Sequence, residues 1–279
     1  MEKVSLLIPC YNDGQYLEEA FASIAAQTWP NLEAVVVDDG SDDDLTADIL
    51  QRLEEEGRAV VVRGAHQGPA AARNRAAAAA TGDYLLPLDA DDRIAPTYVE
   101  KAMAVLRARP EVGVCYCRAE LFGERSGPWA LPTYSIREML VDNVVFVTAL
   151  MRRAVFEQAG GFDETFRTGM EDYDFFLTAL ENGREIIQLP ETLFYYRIKP
   201  MSRSKQLMGD QRDYQAVYQR LFDKHRALYA AHWQEAIPAL RGQLLAQRGQ
   251  ITALEERLLR RPGIAARVAN KARKLLGRE

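Results

Sequence analysis

The chain has 279 residues, 48% of them hydrophobic, enough for one sizeable core plus an appendage. Its formal net charge of −5 argues against a general nucleic-acid binder. That charge is uneven: residues 241–279 hold ten Lys/Arg against three Asp/Glu, a net of +7, so residues 1–240 carry −12. A basic tail on an acidic body points to an anionic partner for the tail alone.

Met1-Glu2-Lys3 runs straight into an apolar stretch, so no amino-terminal leader is expected. No apolar run approaches the ~18–20 residues of a membrane span. The three cysteines, Cys10, Cys115 and Cys117, are an odd number and fit a reducing, cytoplasmic setting. Attachment to the inner face of a membrane stays open.

Val4 to Ile8 reads as a first strand, followed by capping residues Asn12-Asp13-Gly14 and an amphipathic helix through Leu17, Ala20, Phe21 and Ile24. Leu32 to Val37 is a second strand. Asp42-Asp43-Asp44 caps a helix whose apolar side is expected at Leu45, Ile49 and Leu53. Ala59 to Val62 is a third strand, Pro69 to Ala80 an alanine-rich helix, and Tyr84 to Leu88 a fourth strand. Strand and helix alternate, so the first 110 or so residues predict a mostly parallel sheet covered on both faces.

Val112 to Leu121 reads as a strand pair or bend, Ser135 to Leu140 as a short helix, and Val144 to Met151 as a strand. Gly160-Gly161-Phe162-Asp163 is a turn, Asp172 to Glu181 a helix, and Leu193 to Ile198 a last strand. Cys115 and Cys117 alternate on one face and are expected as buried thiols, since no second Cys/His pair lies nearby. From about Ser204 the chain is helix-forming, interrupted at Pro238 and Pro262-Gly263. Leu244, Ile251, Leu254, Leu258 and Leu259 form a loose stripe. Ile264 to Leu276 mixes apolar and basic residues. It suits a membrane surface or a neighbouring helix, or a solvated helix lying on the body.

Two carboxylate clusters close strands: Asp38-Asp39 after the second and Asp89-Ala90-Asp91-Asp92 after the fourth. The carboxyl edge of an open α/β sheet is where ligands bind. Clustered carboxylates call for a positive charge between them, and a divalent cation carrying a phosphate-containing ligand would supply it. Tyr11 can stack on a base or cap the core. Asp39 can accept the imide N–H of a pyrimidine or begin a helix. Arg73 and Arg75 can reach a diphosphate or form the polar face of their helix. His66, His225 and His232 have no ligand spacing and read as surface or buried structural residues.

The segments SLLIPCYND, LEEAFASIAAQTWPNLEAVVVDDGSDD, GPAAARNRAAAAATGDYLLPLDADD, GGFDETF and EDYDFFLTAL resemble, in order, the family 2 glycosyltransferases. The likeness covers about residues 3–204. It implies an inverting, nucleotide-sugar-dependent enzyme of GT-A fold, a Rossmann-like, mostly parallel sheet flanked by helices. It also implies a domain over 1–205, with a nucleotide-binding half 1–110 and an acceptor half 111–205, and a helical extension over 206–279. The family pattern places Pro9, Tyr11 and Asp39 at the nucleoside, Asp89 and Asp91 in its D-x-D with Asp91 facing the metal (Mn²⁺ or Mg²⁺), and Asp172 as the catalytic base. Where the family often carries a metal-binding histidine, this chain has Lys199, a poor metal ligand and a good phosphate partner. Arg197 or Lys199 is therefore expected on the diphosphate, with the metal held more weakly. The expected substrates are a UDP-sugar and a hydroxyl on a glycan or lipid-linked acceptor, used in cell-surface polysaccharide synthesis. The basic helices would serve membrane contact or oligomerisation. Two other readings remain: a nucleotidyltransferase, which would call for a glycine-rich basic loop after strand one, and a non-catalytic carbohydrate- or nucleotide-binding module.

Overall fold

A computed structural model describes residues 2–167, 169–200 and 211–259. Strands β1 (Val4–Cys10), β2 (Leu32–Asp38), β3 (Val60–Arg63) and β4 (Tyr84–Pro87) alternate with helices α1 (Gly14–Ala25), α2 (Asp44–Glu55) and α3 (Pro69–Ala79). The four strands pair in parallel in the order β3-β2-β1-β4. Leu6, Leu7 and Ile8 are fully buried, as a sheet covered on both faces requires. Pro69 opens α3, where its missing N–H costs nothing. The small Ala70, Ala71, Ala72, Ala76 and Ala77 let that helix lie close on the sheet.

The sheet continues through β8 (Leu150–Arg152), β6 (Val112–Gly123), β9 (Glu185–Ile198) and β5 (Arg93–Ile94), with β7 (Gly127–Pro128) paired to β6. This half is mixed: β8 runs antiparallel to β4 and β6, while β6 and β9 are parallel. Its helices are α4 (Tyr98–Ala108), α5 (Ile136–Met139), α6 (Arg153–Ala159) and α7 (Glu171–Glu181).

Within the sheet domain, four details differ from the sequence reading. The buried side of α2 is Thr46, Leu50 and Leu53, while Leu45 is 52% exposed. Thr46 is drawn inward because its Oγ1 accepts the Gly14 N–H at 2.9 Å. Val112 to Gly123 is one strand, since it pairs with β9 along almost its whole length. β9 itself begins at Glu185, eight residues before the apolar run at Leu193; Pro190 falls at a register irregularity opposite Cys117, where no ladder bond is needed. Finally, Val144, Val145 and Phe146 are buried as a loop, and only Leu150–Arg152 joins the sheet.

The chain divides into two compact units, Met1–Ala230 and Ala231–Glu279. The first includes α8 (Gln211–Lys224) and nearly all of α9 (Arg226–Ala231). Lys224 bonds Asp163 and Asp174 there, and the buried His225 lies 3.1 Å from Asp174 and 3.0 Å from Glu181. The second unit, as described, is α10 (Trp233–Leu259). Pro238 lies inside this helix instead of interrupting it, at the cost of one backbone bond near its start. Leu244, Ile251, Leu254 and Leu258 are exposed. Ile264 to Leu276 lies outside the described residues. Among those described, no helix is long and apolar enough to cross a membrane. All three cysteines are buried, which pushes the Cys10 and Cys115 thiols up to about 12.

Candidate active site

β1, β2 and β4 end side by side, and their carboxyl ends deliver Tyr11, Asp39 and the Asp89–Asp92 turn to one edge of the sheet. Asp39 is buried and fully engaged. Its Oδ1 accepts the Gln67 N–H at 3.0 Å and a close bond from Arg75, and its Oδ2 accepts the Gly68 N–H at 2.8 Å and lies 3.0 Å from His66 Nδ1. Gly40 turns the chain at φ +80°, and a Cβ there would meet the His66 backbone N at 2.8 Å. The His66 ring then lies against Tyr11, with centroids 4.1 Å apart. The two rings form an open aromatic face, 42% exposed at Tyr11.

Three consecutive residues of α3 tie the site together. Arg73, 1% exposed, donates to Asp89 Oδ1 at 2.6 Å and to Glu171 Oε1 at 2.7 Å. Burial alone would weaken its charge, but the two carboxylates more than offset that and raise its pKa. Asn74 clasps the backbone of Phe162, accepting its N–H at 2.9 Å and donating to its carbonyl at 2.8 Å. Arg75 holds Asp39. One turn of helix thus joins the end of β2, the D-x-D turn, the 160–163 turn and the start of α7.

The end of β9 and Lys199 just after it reach the same turn. The Arg197 N–H donates to Asp92 Oδ1 and its Nε to the Asp91 carbonyl, each at 2.8 Å. Its guanidinium pairs with Glu19 between the rings of Tyr16 and Phe122. Lys199 Nζ lies 2.8 Å from Asp91 Oδ2 and 2.9 and 3.0 Å from the two oxygens of Asp13. Burial raises the Asp91 carboxyl; Lys199 pulls it down, and Asp89 adds to the rise, so the net direction is up. Asp92 is raised further by its deeper burial and by Asp91 and Asp89.

Asp172 stands in the first turn of α7, after Met170 in a left-handed conformation at φ +72°. The helix amino terminus favours an anion there. Burial and the neighbouring Glu171 outweigh that and the opposing pull of Arg73, and its carboxyl is pushed up to about 7. It keeps partial solvent access and accepts the Tyr173 N–H at 2.8 Å. A half-buried carboxylate that gains a proton near neutrality is suited to general-base work.

The glycosyl transferase family 2 model matches residues 5–167, more than half of the chain. The chain belongs to this family. Among its relatives, O-antigen biosynthesis protein RfbC of Myxococcus xanthus is 29% identical over 200 residues, 70% of this chain and 16% of that protein. The chain spans between 16 and 62% of the length of the curated relatives it matches first. S. aureus TarS 1–349 in complex with UDP superposes with a TM-score of 0.60 at 26% identity, covering 71% of this chain and 61% of TarS. The mannosyltransferase PcManGT of Pyrobaculum calidifontis, solved with GDP-Man and Mn²⁺, gives a TM-score of 0.62 at 20% identity, covering 100% of this chain and 88% of that one. The fold of this family 2 glycosyltransferase is the expected GT-A arrangement.

The side chains present fit a divalent cation at Asp91 poorly. Such an ion prefers carboxylate oxygens together with phosphate and water oxygens. Here Asp91 is already engaged by Lys199, Asp89 by Arg73 and Asp92 by the Arg197 N–H. Among the described residues, no three His, Cys, Asp or Glu side chains converge as a ligand set.

Pro9, Tyr11 and Asp39 lie at the end of β1 and β2; Asp89, Asp91 and Lys199 meet at the D-x-D turn; and Asp172 joins them through Glu171 and Arg73. Arg73 is an interior strut, not a surface residue. Sequence reasoning passed over His66, Asp13 and Glu171 as parts of this network. Only Glu171 carried a signal, as the neighbour of Asp172 in the EDYD motif. His66 and Asp13 sit in loops whose partners lie 27 and 186 residues away.

Proposed function

We propose that this chain is an inverting glycosyltransferase that moves a sugar from a nucleoside-diphosphate donor, UDP favoured, to a hydroxyl of a glycan or lipid-linked acceptor in cell-surface polysaccharide synthesis. The Asp89–Arg73–Glu171 ion chain carries this reading, because through the buried Arg73 it ties the D-x-D turn to Glu171, the chain neighbour of Asp172. Tyr11 and His66 offer a face for the base. Asp39 would accept the imide N–H of uracil by exchanging His66, whose side chain is 57% exposed and the freest of its four partners. The UDP complex of TarS supports the choice of nucleotide.

In the reaction, the acceptor oxygen attacks the anomeric carbon from the face opposite the diphosphate. The new C–O bond forms as the bond to the phosphate oxygen breaks, and that oxygen keeps the electron pair. The Asp172 carboxylate takes the hydroxyl proton, a contribution of about 10²–10⁴ in rate. One base and one displacement give inversion, with no second catalytic carboxylate.

The test is a screen of UDP-, dTDP- and GDP-sugars by calorimetry, followed by release of free nucleotide diphosphate. Binding and turnover of a UDP-sugar are expected. Binding without turnover for any donor would make the chain a binding module instead. The basic segment 241–279 is assigned to an anionic, inner membrane face; its deletion should abolish binding to anionic vesicles, and unchanged binding refutes that role.

A further inference from the structure

We propose that the Lys199 ammonium holds the place of a divalent cation on Asp91, so that the enzyme binds its nucleoside diphosphate without added metal. This rests on the nucleotide-donor reading above and deepens it. Asp13, Asp89, Asp91 and Asp92 gather four carboxylates at the β1 and β4 ends, an arrangement that requires compensating positive charge. Lys199 supplies it for Asp91 and Asp13, as Arg73 does for Asp89. Its Nζ bridges Asp91 Oδ2 at 2.8 Å and both oxygens of Asp13 at 2.9 and 3.0 Å, joining loops that follow two different strands.

The bridge is built, not incidental. Arg197, near the end of β9 and two positions before Lys199, fixes the approach by bonding the Asp91 carbonyl and the Asp92 carboxylate. Tyr16 carries both cations on its face, with Arg197 at 4.6 Å and Lys199 at 5.3 Å. Lys199 keeps 23% of its side chain exposed, so solvent reaches part of it. An ammonium is a compact point charge with three donors and no acceptor capacity, so it can trade one carboxylate oxygen for a phosphate oxygen. A metal ion could take Asp91 only by displacing that charge.

Calorimetry on the full chain tests this with UDP, dTDP and GDP as probes, in EDTA and in Mn²⁺. Wild type should bind its preferred nucleotide with a Kd that differs less than about threefold between the two buffers. Lys199→Met keeps the aliphatic stem and should bind at least about tenfold more weakly in EDTA, with Mn²⁺ restoring part of the loss as Asp13 and Asp91 are vacated. Lys199→His should in addition bind Mn²⁺ alone, read by the loss of the free Mn²⁺ paramagnetic-resonance signal, where wild type does not. Melting curves check that each variant is folded. A lysine that merely ties β9 to the β1 loop would lower the melting temperature and leave the metal response unchanged, which overturns the proposal. So does wild-type binding that needs Mn²⁺, and that result leaves the donor reading standing. Failure of all three nucleotides in both buffers removes the donor reading and this proposal together.

Discussion

The clearest quantitative consequence concerns the pH dependence of transfer. As the proposed base, Asp172 must be ionised to accept a proton, and burial and Glu171 push its carboxyl up from 3.8 to about 7. With a single site at that value, about 9% is ionised at about pH 6 and about 91% at about pH 8, so the rate should rise roughly tenfold across that window. The sign follows from the role: a base works when deprotonated, so activity is lost as pH falls. Replacing Glu171 by Gln removes the adjacent like charge and keeps an oxygen for Arg73 to donate to. Burial is the larger cause of the rise and stays in place, so the acid limb should move down yet stay above the ordinary carboxylate range. The assay is the initial rate of UDP release from a UDP-sugar at sub-saturating donor, with water standing in as acceptor. Asp172→Asn should cut that rate by about 10²–10⁴, leave UDP affinity within about twofold, and leave a residual rate flat in the same window. An acid limb that persists in Asp172→Asn, or that does not move in Glu171→Gln, refutes the assignment of the base.

Three other variants probe the scaffold. Arg73→Met removes the buried cation shared by Asp89 and the buried Glu171 and should cost about 3–5 kcal/mol in urea unfolding; a loss under about 1 kcal/mol contradicts the strut role. Gly40→Ala places a Cβ against the His66 backbone at φ +80°, so it should cost at least about 1 kcal/mol and weaken UDP binding together, as seen by melting and calorimetry. Tyr11→Ala removes an exposed ring and should leave the melting temperature unchanged while UDP binds about fivefold to tenfold more weakly, for about 1–1.4 kcal/mol of lost stacking. Equal affinity of Tyr11→Ala and wild type would place the base elsewhere.

The elements that were legible in the chain are those set by local pattern. β1, β2 and β4 announce themselves as short apolar runs, and the carboxylates that close them are adjacent in sequence. Elements held by distant partners were hidden. The first half of β9 carries Glu185, Gln188, Pro190 and Glu191 and has no strand-like alternation; its pairing with β6 makes it a strand. Val144 to Phe146 has the composition of a strand, yet the Asn143 side chain accepts the Val145 N–H at 3.1 Å and the run stays a loop. Leu45 fits the apolar period of α2 as well as Thr46 fits it poorly, and a single hydrogen bond to α1 decides which is buried.

The order of motifs along the chain determined the α/β alternation, the sheet edge that bears the acidic groups, and the family. Folding decided what those groups are. Arg73 meets Glu171 across 98 residues of sequence, and Lys199 meets Asp13 across 186. A carboxylate's proton affinity, and the cation it faces, follow from burial and from the summed field of every charge around it. Those quantities exist only once distant segments have been brought within a few ångströms of one another.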